Sequence, residues 1–457
     1  MRTIRLLLII FLLNNQVVLC LGKNTNYVLV TNKSLGKELF CDSNSYYVVR
    51  DVVDLHGATI TIPNLSVIKF EGGKFTNGKV IGTDTYIEAA PYAVFAKDLD
   101  VAGTFLAGEA YPEWFEGDDD AIAIRKALEL FENVKLTAKH YFLRSVDSDG
   151  YGIVVPTGRI LQGNRRANNT INDDQIIEMV EGIKYKSIIG LYSRTSLSNL
   201  TIHGKRGLYN ACVSTVDGFQ SRITIERVGV SSSYYGFNLQ TYLSNITQCV
   251  ANFNDIGFFI HGKCKNDIVA VEGTSINLTT CFAVSSKITG YELMGITYST
   301  MNNCAADGCG NPITDVLNNV SPIGYSYSFT HSRNITANSC GAEETLGAVK
   351  TYNCKNIIFN CPSYLISRRK NVKVDNSYKL KPIFNIRFSE FIVFNYMSIN
   401  CDDMKNYFDV TTPLMVLHGR EQQTPAVIIK AGYESIKDCN IAVEGFLVKT
   451  KNLLYSY

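Results

Sequence analysis

Two acidic residues hold one place in a repeating cysteine motif. Asp307 lies three residues after Cys304, and Glu343 lies three after Cys340. If the motif marks successive turns of a stacked structure, their backbones stand one rung apart, about 4.8 Å. Carboxylates that close resist ionising together, so one becomes an acid and the other remains a base. Glycoside hydrolysis needs such a pair, which makes Asp307 and Glu343 the candidate catalytic residues. Glu344 adds a third carboxylate, and Asn252 holds the same place after Cys249. The alternative chemistry is β-elimination from a uronic acid. It needs a base and a cation to neutralise the sugar carboxylate. Tyr298, His331 and Arg333 sit near the same cleft in the repeat, with Tyr or His as the base and Arg333 as the clamp. His261 and Lys350 fall in the same region. Glu292, in Gly-Tyr-Glu-Leu, reads as facing outward, with a sugar or nothing to bind.

The motif that aligns these residues recurs at Cys249, Cys281, Cys304, Cys340 and Cys361, at spacings of 32, 23, 36 and 21 residues. An apolar or small residue stands three places before each cysteine (Ile246, Leu278, Met301, Ala337, Ile358). A small one stands two places after (Ala251, Ala283, Ala306, Ala342, Ser363). A glycine and a short apolar run follow, as in Gly257-Phe-Phe-Ile and Gly290-Tyr-Glu-Leu, and Val228 fits the cysteine place one unit earlier. Such self-similarity marks a solenoid whose units bury their apolar faces against each other. Short β-branched and aromatic runs with no helical period identify the unit as a coil of parallel β-helix. On this alignment the residues sharing one azimuth are Asn252, Val284, Asp307, Glu343 and Tyr364. The two longer spacings predict insertions near residues 262–275 and 310–322, walling a groove beside the Cys304 coil.

Composition narrows the class. The 457 residues carry 44 basic and 42 acidic side chains, a net charge of +2, with no long basic run, so no nucleic-acid partner follows. Tyr (26) and Phe (23) are abundant beside one Trp, a β-rich profile. Met1-Arg-Thr-Ile-Arg5 followed by apolar Leu6 to Leu13 reads as an export signal too short to span a bilayer, and no other segment reads as membrane-crossing. Cys20 invites a lipid anchor, although Leu19 is not the small residue that signal wants. The expected location is outside the cytoplasm: secreted, periplasmic or tethered to an outer membrane. An exported chain with 13 cysteines suggests disulfides. The periodicity instead assigns the five motif cysteines to buried free thiols, with local pairing of Cys304 and Cys309 left open. No CxxC, HExxH, P-loop or dinucleotide fingerprint appears, so no metal site or cofactor is expected. Clustered carboxylates would suit calcium alone, without a dedicated loop.

The chain in order supplies the frame. Residues 1–20 are the signal and 21–45 a polar lead-in. Residues 46–115 form very short strands punctuated by Gly72, Gly73, Gly78 and Gly82. Asp118-Asp-Asp-Ala-Ile-Ala-Ile-Arg-Lys-Ala-Leu-Glu-Leu-Phe131 predicts a helix over 118–132, capped by Asp118 or Asp119 and placed to cover the solenoid's open end. Residues 165–197 read as an irregular excursion. Coils then run to about residue 370, and residues 371–457 are final coils or a β-rich cap. Asn199, Asn245, Asn277 and Asn334, each in Asn-x-Ser/Thr, read as turn residues repeated because the coil repeats.

The Asp-Asp-Asp-Ala-Ile…Ala-Leu start of this helix, the Pro-Thr-Gly turn at 156–158 and the Leu-Gln-Gly strand at 161–163 resemble the pectate-lyase-like superfamily, which includes tailspikes, rhamnogalacturonases and polysaccharide lyases. The Phe-Glu-Gly-Gly-Lys-Phe-Thr-Asn-Gly and Pro-Glu-Trp-Phe stretches resemble exported Bacteroidetes members. The resemblance covers about residues 46–365. It implies an all-β fold, a right-handed parallel β-helix with one N-terminal capping helix. It also implies a polysaccharide partner, uronic-acid-containing if the chemistry is that of a lyase, bound by a monomer or a homotrimer. A superfold of this kind hosts many chemistries. The expected function is therefore polysaccharide cleavage by a lyase or hydrolase, with a non-catalytic glycan-binding or structural surface protein, tailspike-like, as the alternative.

Overall fold

In the computed structural model the described residues are 27–32, 40–164, 176–207, 209–265, 268–310, 324–345, 347–366 and 384–401, with short strands at 415–418, 427–431, 441–444 and 453–455. The segment expected to be an export signal, Cys20 and the expected 310–322 insertion fall almost wholly outside them. The chain divides into two compact units, residues 1–117 with 130–133 and residues 118–129 with 134–457.

In the first unit the strand Tyr27–Val30 pairs in parallel with Tyr46–Val49, which pairs with Val67–Phe70, then Gly78–Glu88, then Leu99–Leu106. Alternate residues Tyr47, Val49, Ile68, Phe70, Val80 and Ile87 turn inward and are buried, the period-2 pattern of a strand. Phe70, Phe75, Phe95 and Phe115 build an aromatic ladder with ring centroids 5.3–5.7 Å apart. Gly103, at φ +99°, lies against Gly82, whose carbonyl oxygen would be 2.1 Å from a Cβ at position 103, so no other residue fits there.

The second unit is a solenoid of parallel strands. One side is a sheet that runs through Tyr151–Val155, Ser187–Leu191, Ala211–Thr215, Tyr235–Tyr242, Ile256–His261, Thr289–Met294, Tyr325–Thr330, Val349–Tyr352 and Phe384–Arg387, called the long face below. The rest of most coils is two strands joined by a short bend, as in Ile296–Asn302 and Ala305–Asp307. The bend residue has a left-handed backbone in every such coil: Gln248, Thr280, Asn303, Ser339, Cys361 and Tyr396, with φ between 50° and 55° except Ser339 at 49°. That conformation costs a non-glycine residue about 1–2 kcal/mol. Hydrogen bonds beside it offset the cost. The side-chain amide of Asn338 donates to Asn302, Asn360 to Asn338 and Asn395 to Asn360, each at 2.8 Å. Each such bond contributes about 0.5–1.5 kcal/mol net.

The cysteine ladder lies inside. Ile246, Leu278, Met301 and Ala337 are in register, as are Ala251, Ala283, Ala306 and Ala342. Cys249, Cys281, Cys304 and Cys340 are buried and free. Val228 and, before it, Leu200 take the same place in earlier coils. Opposite the thiols, the rings of Phe237, Phe258, Tyr291 and Tyr327 stack within 9° of parallel at centroid distances of 4.8–5.3 Å. The Tyr291 hydroxyl lies 2.7 Å from the carbonyl of Cys281 and 3.0 Å from that of Ala305. The core is thus cross-braced from the long face to the ladder.

Three sequence expectations are corrected. Cys361 is exposed and holds the left-handed bend rather than the ladder. Asn338 pairs with Asn360 and Ala342 with Tyr364, so Pro362 takes the thiol place, Phe359 replaces Ile358, and Leu365 rather than Tyr364 shares the azimuth of Glu343. Spacing alone cannot see a one-residue slip. Cys304 and Cys309 do not pair; both are buried free thiols. The excursion at 165–197 contains strands Ile176–Met179 and Ser187–Leu191, in register with their neighbours. The 262–275 insertion is present as an antiparallel hairpin, Lys263–Lys265 with Ile268–Val271. Strands beyond residue 384 continue the coils as far as Leu453–Tyr455.

The helix spans Asp120–Leu130. Asp119 is its N-cap, with its carboxylate accepting the Ala121 N–H at 2.9 Å. The same carboxylate accepts the Arg144 N–H at 2.9 Å, and Asp120 accepts the Phe142 N–H at 2.8 Å. The acidic start thereby satisfies amides at the edge of strand Tyr141–Leu143 that pair with no other strand there, the service an exposed sheet edge requires.

Candidate functional site

Asp307 and Glu343 end the adjacent strands Ala305–Asp307 and Gly341–Glu343 and face each other in register. Val284 precedes them on the same azimuth and Leu365 follows, so the paired carboxylates are confined to two rungs between apolar walls. Glu344 stands beside them with a left-handed backbone, φ 48°. Asp307 is half-buried. Burial holds its carboxyl above the usual range, and the charges of Glu344 and then Glu343 push it the same way. A carboxyl shifted upward beside two others has the kind of environment a general acid requires. Asn252 is two rungs away, beyond Val284, and its buried Oδ1 has no hydrogen-bond partner.

Tyr298, His331 and Arg333 are not brought to these carboxylates. Glu343 lies just before a long-face strand, whereas His331 and Arg333 lie just after one. The strand between Asp307 and Arg333, Tyr325–Thr330, is six residues, about 20 Å long. Arg333 donates to Glu272 at 2.6 Å, tying the hairpin insertion to the coil beside it. Asn353 lies 2.7 Å from Nδ1 of His331. Tyr298 is 64% exposed. The six candidates beyond Asn252 therefore form two rims, acidic on one side and mixed on the other, with the long face as the floor between.

That floor carries the residues the motif reading underused. Along the outward stripe, Asn238, Phe259, Glu292, Ser328, Lys350 and Asn385 succeed one another in register. Burial raises the Glu292 carboxyl, and Lys350, two rungs on, partly offsets the shift. Toward the acidic rim runs an aromatic track. Tyr209 meets Tyr234 at 4.9 Å, Tyr234 meets Tyr235 at 4.6 Å, Tyr235 stacks on Phe259 at 5.4 Å, and Phe259 stacks on His261 at 4.4 Å. His261 is clamped, with Nδ1 2.8 Å from the Gly262 carbonyl and Nε2 3.0 Å from the Asn238 amide, and burial lowers its pKa. It is positioned as a wall, not as a base. The signal for this face lay in Gly257-Phe-Phe-Ile and Gly290-Tyr-Glu-Leu: period 2 sends the first aromatic inward and the next residue out. Among the described residues no group of three or more His, Cys, Asp or Glu is arranged to hold a metal ion, and no helix is long and apolar enough to cross a membrane.

No family profile and no curated protein matches the sequence. Solved structures do. The tailspike protein 2 enzymatically active domain of bacteriophage CBA120 aligns with a TM-score of 0.50 at 10% identity, covering 73% of this chain and 51% of that one. The gp42 tailspike of Acinetobacter phage vb_AbaP_AS12 aligns at 0.48 and 14% identity, covering 72% and 57%. The A-module of a mannuronan C-5 epimerase from Azotobacter vinelandii aligns at 0.42 and 15%, covering 74% and 96%. The chain spans about half the length of these two tailspikes. With every described coil of the second unit paired in parallel and crossovers taking the hand such connections take, the chain has the right-handed parallel β-helix fold, as does the CBA120 tailspike domain.

Proposed function

We propose that the chain is an exported protein that cleaves a polysaccharide lying across the long face, with Asp307 as general acid and Glu343 as its partner carboxylate. The observation that carries this reading is the pair itself: two carboxylates in register on consecutive rungs, with Asp307 held toward its protonated form by burial and by its acidic neighbours. In this role Asp307 gives its proton to the leaving glycosidic oxygen, and Glu343 activates water or attacks the sugar carbon. The basic-then-apolar start of the sequence supports export. The fold's occurrence in a tailspike domain described as enzymatically active is in keeping with the reading. Hydrolysis is favoured over elimination because Arg333 is committed to Glu272 and both candidate bases lie across the face from the acidic pair.

A second reading, glycan binding without cleavage, is favoured by the aromatic track, which needs no catalyst to hold a sugar. Incubation with a broad glycan panel separates the two. Hydrolysis releases reducing ends alone, whereas elimination releases reducing ends together with unsaturated products that absorb in the ultraviolet. Release of reducing ends without ultraviolet absorbance, abolished by Asp307→Asn, supports the proposal; ultraviolet-absorbing products overturn its hydrolytic form, and release of neither across the panel leaves the binding reading.

A further inference from the structure

The floor carries information about the ligand that the carboxylate pair does not. Tyr209, 62% exposed, begins a run of touching rings that passes through Tyr234, Tyr235 and Phe259 to His261, from just before the strand Ala211–Thr215 across the next two strands of the long face. Half-exposed aromatic rings in a continuous track mark a surface meant for a partner. Their flat apolar faces suit the C–H faces of pyranose rings.

The charges on these rungs argue about the sugar's substituents. A uronic acid brings one carboxylate per residue and needs an Arg or Lys to meet it. Arg206 is occupied: it pairs with Asp255 at 3.8 Å and donates to the Phe253 carbonyl at 2.9 Å. Lys350 stands two rungs beyond Glu292 and faces it electrostatically. With Asp255 paired to Arg206, Glu292 on the floor and Asp307, Glu343 and Glu344 along the acidic rim still outnumber Lys205 and Lys287 on the same side. A polyuronate laid here would set carboxylates against carboxylates. Hydroxyl or acetamido groups would instead find an acceptor in Glu292 and a donor in Asn238.

We propose that the long face binds a glycan without carboxylate groups, neutral or N-acetylated, with Tyr235 and Phe259 stacking on its sugar rings and Glu292 hydrogen-bonding its hydroxyl or amide groups. The inference rests on the glycan reading above but not on cleavage. It assigns the face a substrate class opposite to the uronate that an Arg333 clamp would imply.

Calorimetric titration of the full chain with cellohexaose, chitohexaose, mannohexaose and hexagalacturonate tests it. The expected result is measurable binding of at least one uncharged hexamer, at least tenfold tighter than hexagalacturonate. Tyr235→Ala and Phe259→Ala should weaken that binding tenfold or more, and Glu292→Gln should weaken it less. Phe259→Leu, which keeps apolar bulk and the fold but removes the ring, should behave as Phe259→Ala. Tighter binding of hexagalacturonate, no binding of any uncharged hexamer, or unchanged affinity in the folded Tyr235 and Phe259 variants overturns the inference. Binding without any cleavage would sink the catalytic proposal alone, and cleavage of a polyuronate would sink this one alone.

Discussion

Tyr291→Phe is the sharpest test of the coil register, because one hydroxyl joins two walls of the solenoid. The Tyr291 ring is fully buried between Phe258 and Tyr327. Its hydroxyl lies 2.7 Å from the Cys281 carbonyl and 3.0 Å from that of Ala305, on the next rung. One proton serves two acceptors, so the substitution removes one shared hydrogen bond. The Cys281 carbonyl keeps a ladder partner, the Ala305 N–H at 3.0 Å, so no acceptor there is orphaned. The ring and its stacking remain, and no large cavity opens. The expected cost is therefore about 1 kcal/mol, within the ~0.5–1.5 kcal/mol net value of a hydrogen bond. Tyr298→Phe, at an exposed position, should cost less than ~0.5 kcal/mol. Urea unfolding followed by circular dichroism measures both, as a shift of midpoint at constant slope. Equal midpoints for Tyr291→Phe and wild type, or an equal loss in Tyr298→Phe, would refute the cross-braced core.

Three further outcomes follow from individual contacts. Brief treatment of the native protein with iodoacetamide, mapped by mass spectrometry, should modify exposed Cys361 and spare buried Cys249, Cys281, Cys304 and Cys340; the reverse pattern would restore Cys361 to the ladder. Glu292 has a raised carboxyl pKa in the fold, so its contribution to stability is fully present below the unfolded-state value near 4.5 and is lost as pH rises through the folded value; the Tm of Glu292→Gln minus that of wild type should therefore grow as pH is raised from 4 to 8, and a flat difference contradicts the burial. Arg333→Ala breaks a half-exposed ion pair with Glu272, which after solvent screening contributes under ~1 kcal/mol; global stability should barely move while hydrogen exchange in the hairpin at 263–271 accelerates, and unchanged exchange would mean the pair does not hold the hairpin.

Much of this was legible in the chain. Five recurrences of a short motif sufficed for a solenoid, and four of them sufficed for the phase of the coils, because a buried interior tolerates only small side chains at a fixed depth. The pairing of Asp307 with Glu343 follows from that phase. The fifth unit misled because Asn-Cys-Pro matches Ser-Cys-Gly in spacing, while the left-handed bend takes the cysteine and leaves the proline inside. Backbone bends have no compositional mark when Gln, Thr, Asn, Ser and Cys all occupy them. The two rims were hidden for a different reason. Closeness in coil number is not closeness around the coil, and Arg333 is separated from Asp307 by the whole length of the strand Tyr325–Thr330. Glu292 was visible in the alternation of its strand, but its burial depends on neighbours from other rungs, which no local pattern contains.

The central claim is that Asp307 and Glu343 act as one unit on a bound glycan. Measuring kcat for Asp307→Asn, Glu343→Gln and the double variant, on whichever glycan the wild type cleaves, tests it most directly. Groups that act together are strongly non-additive. Each single variant should lose at least a thousandfold, and the double variant should lose little more than the worse single one. Full turnover in either single variant, or losses that multiply in the double variant, would contradict it.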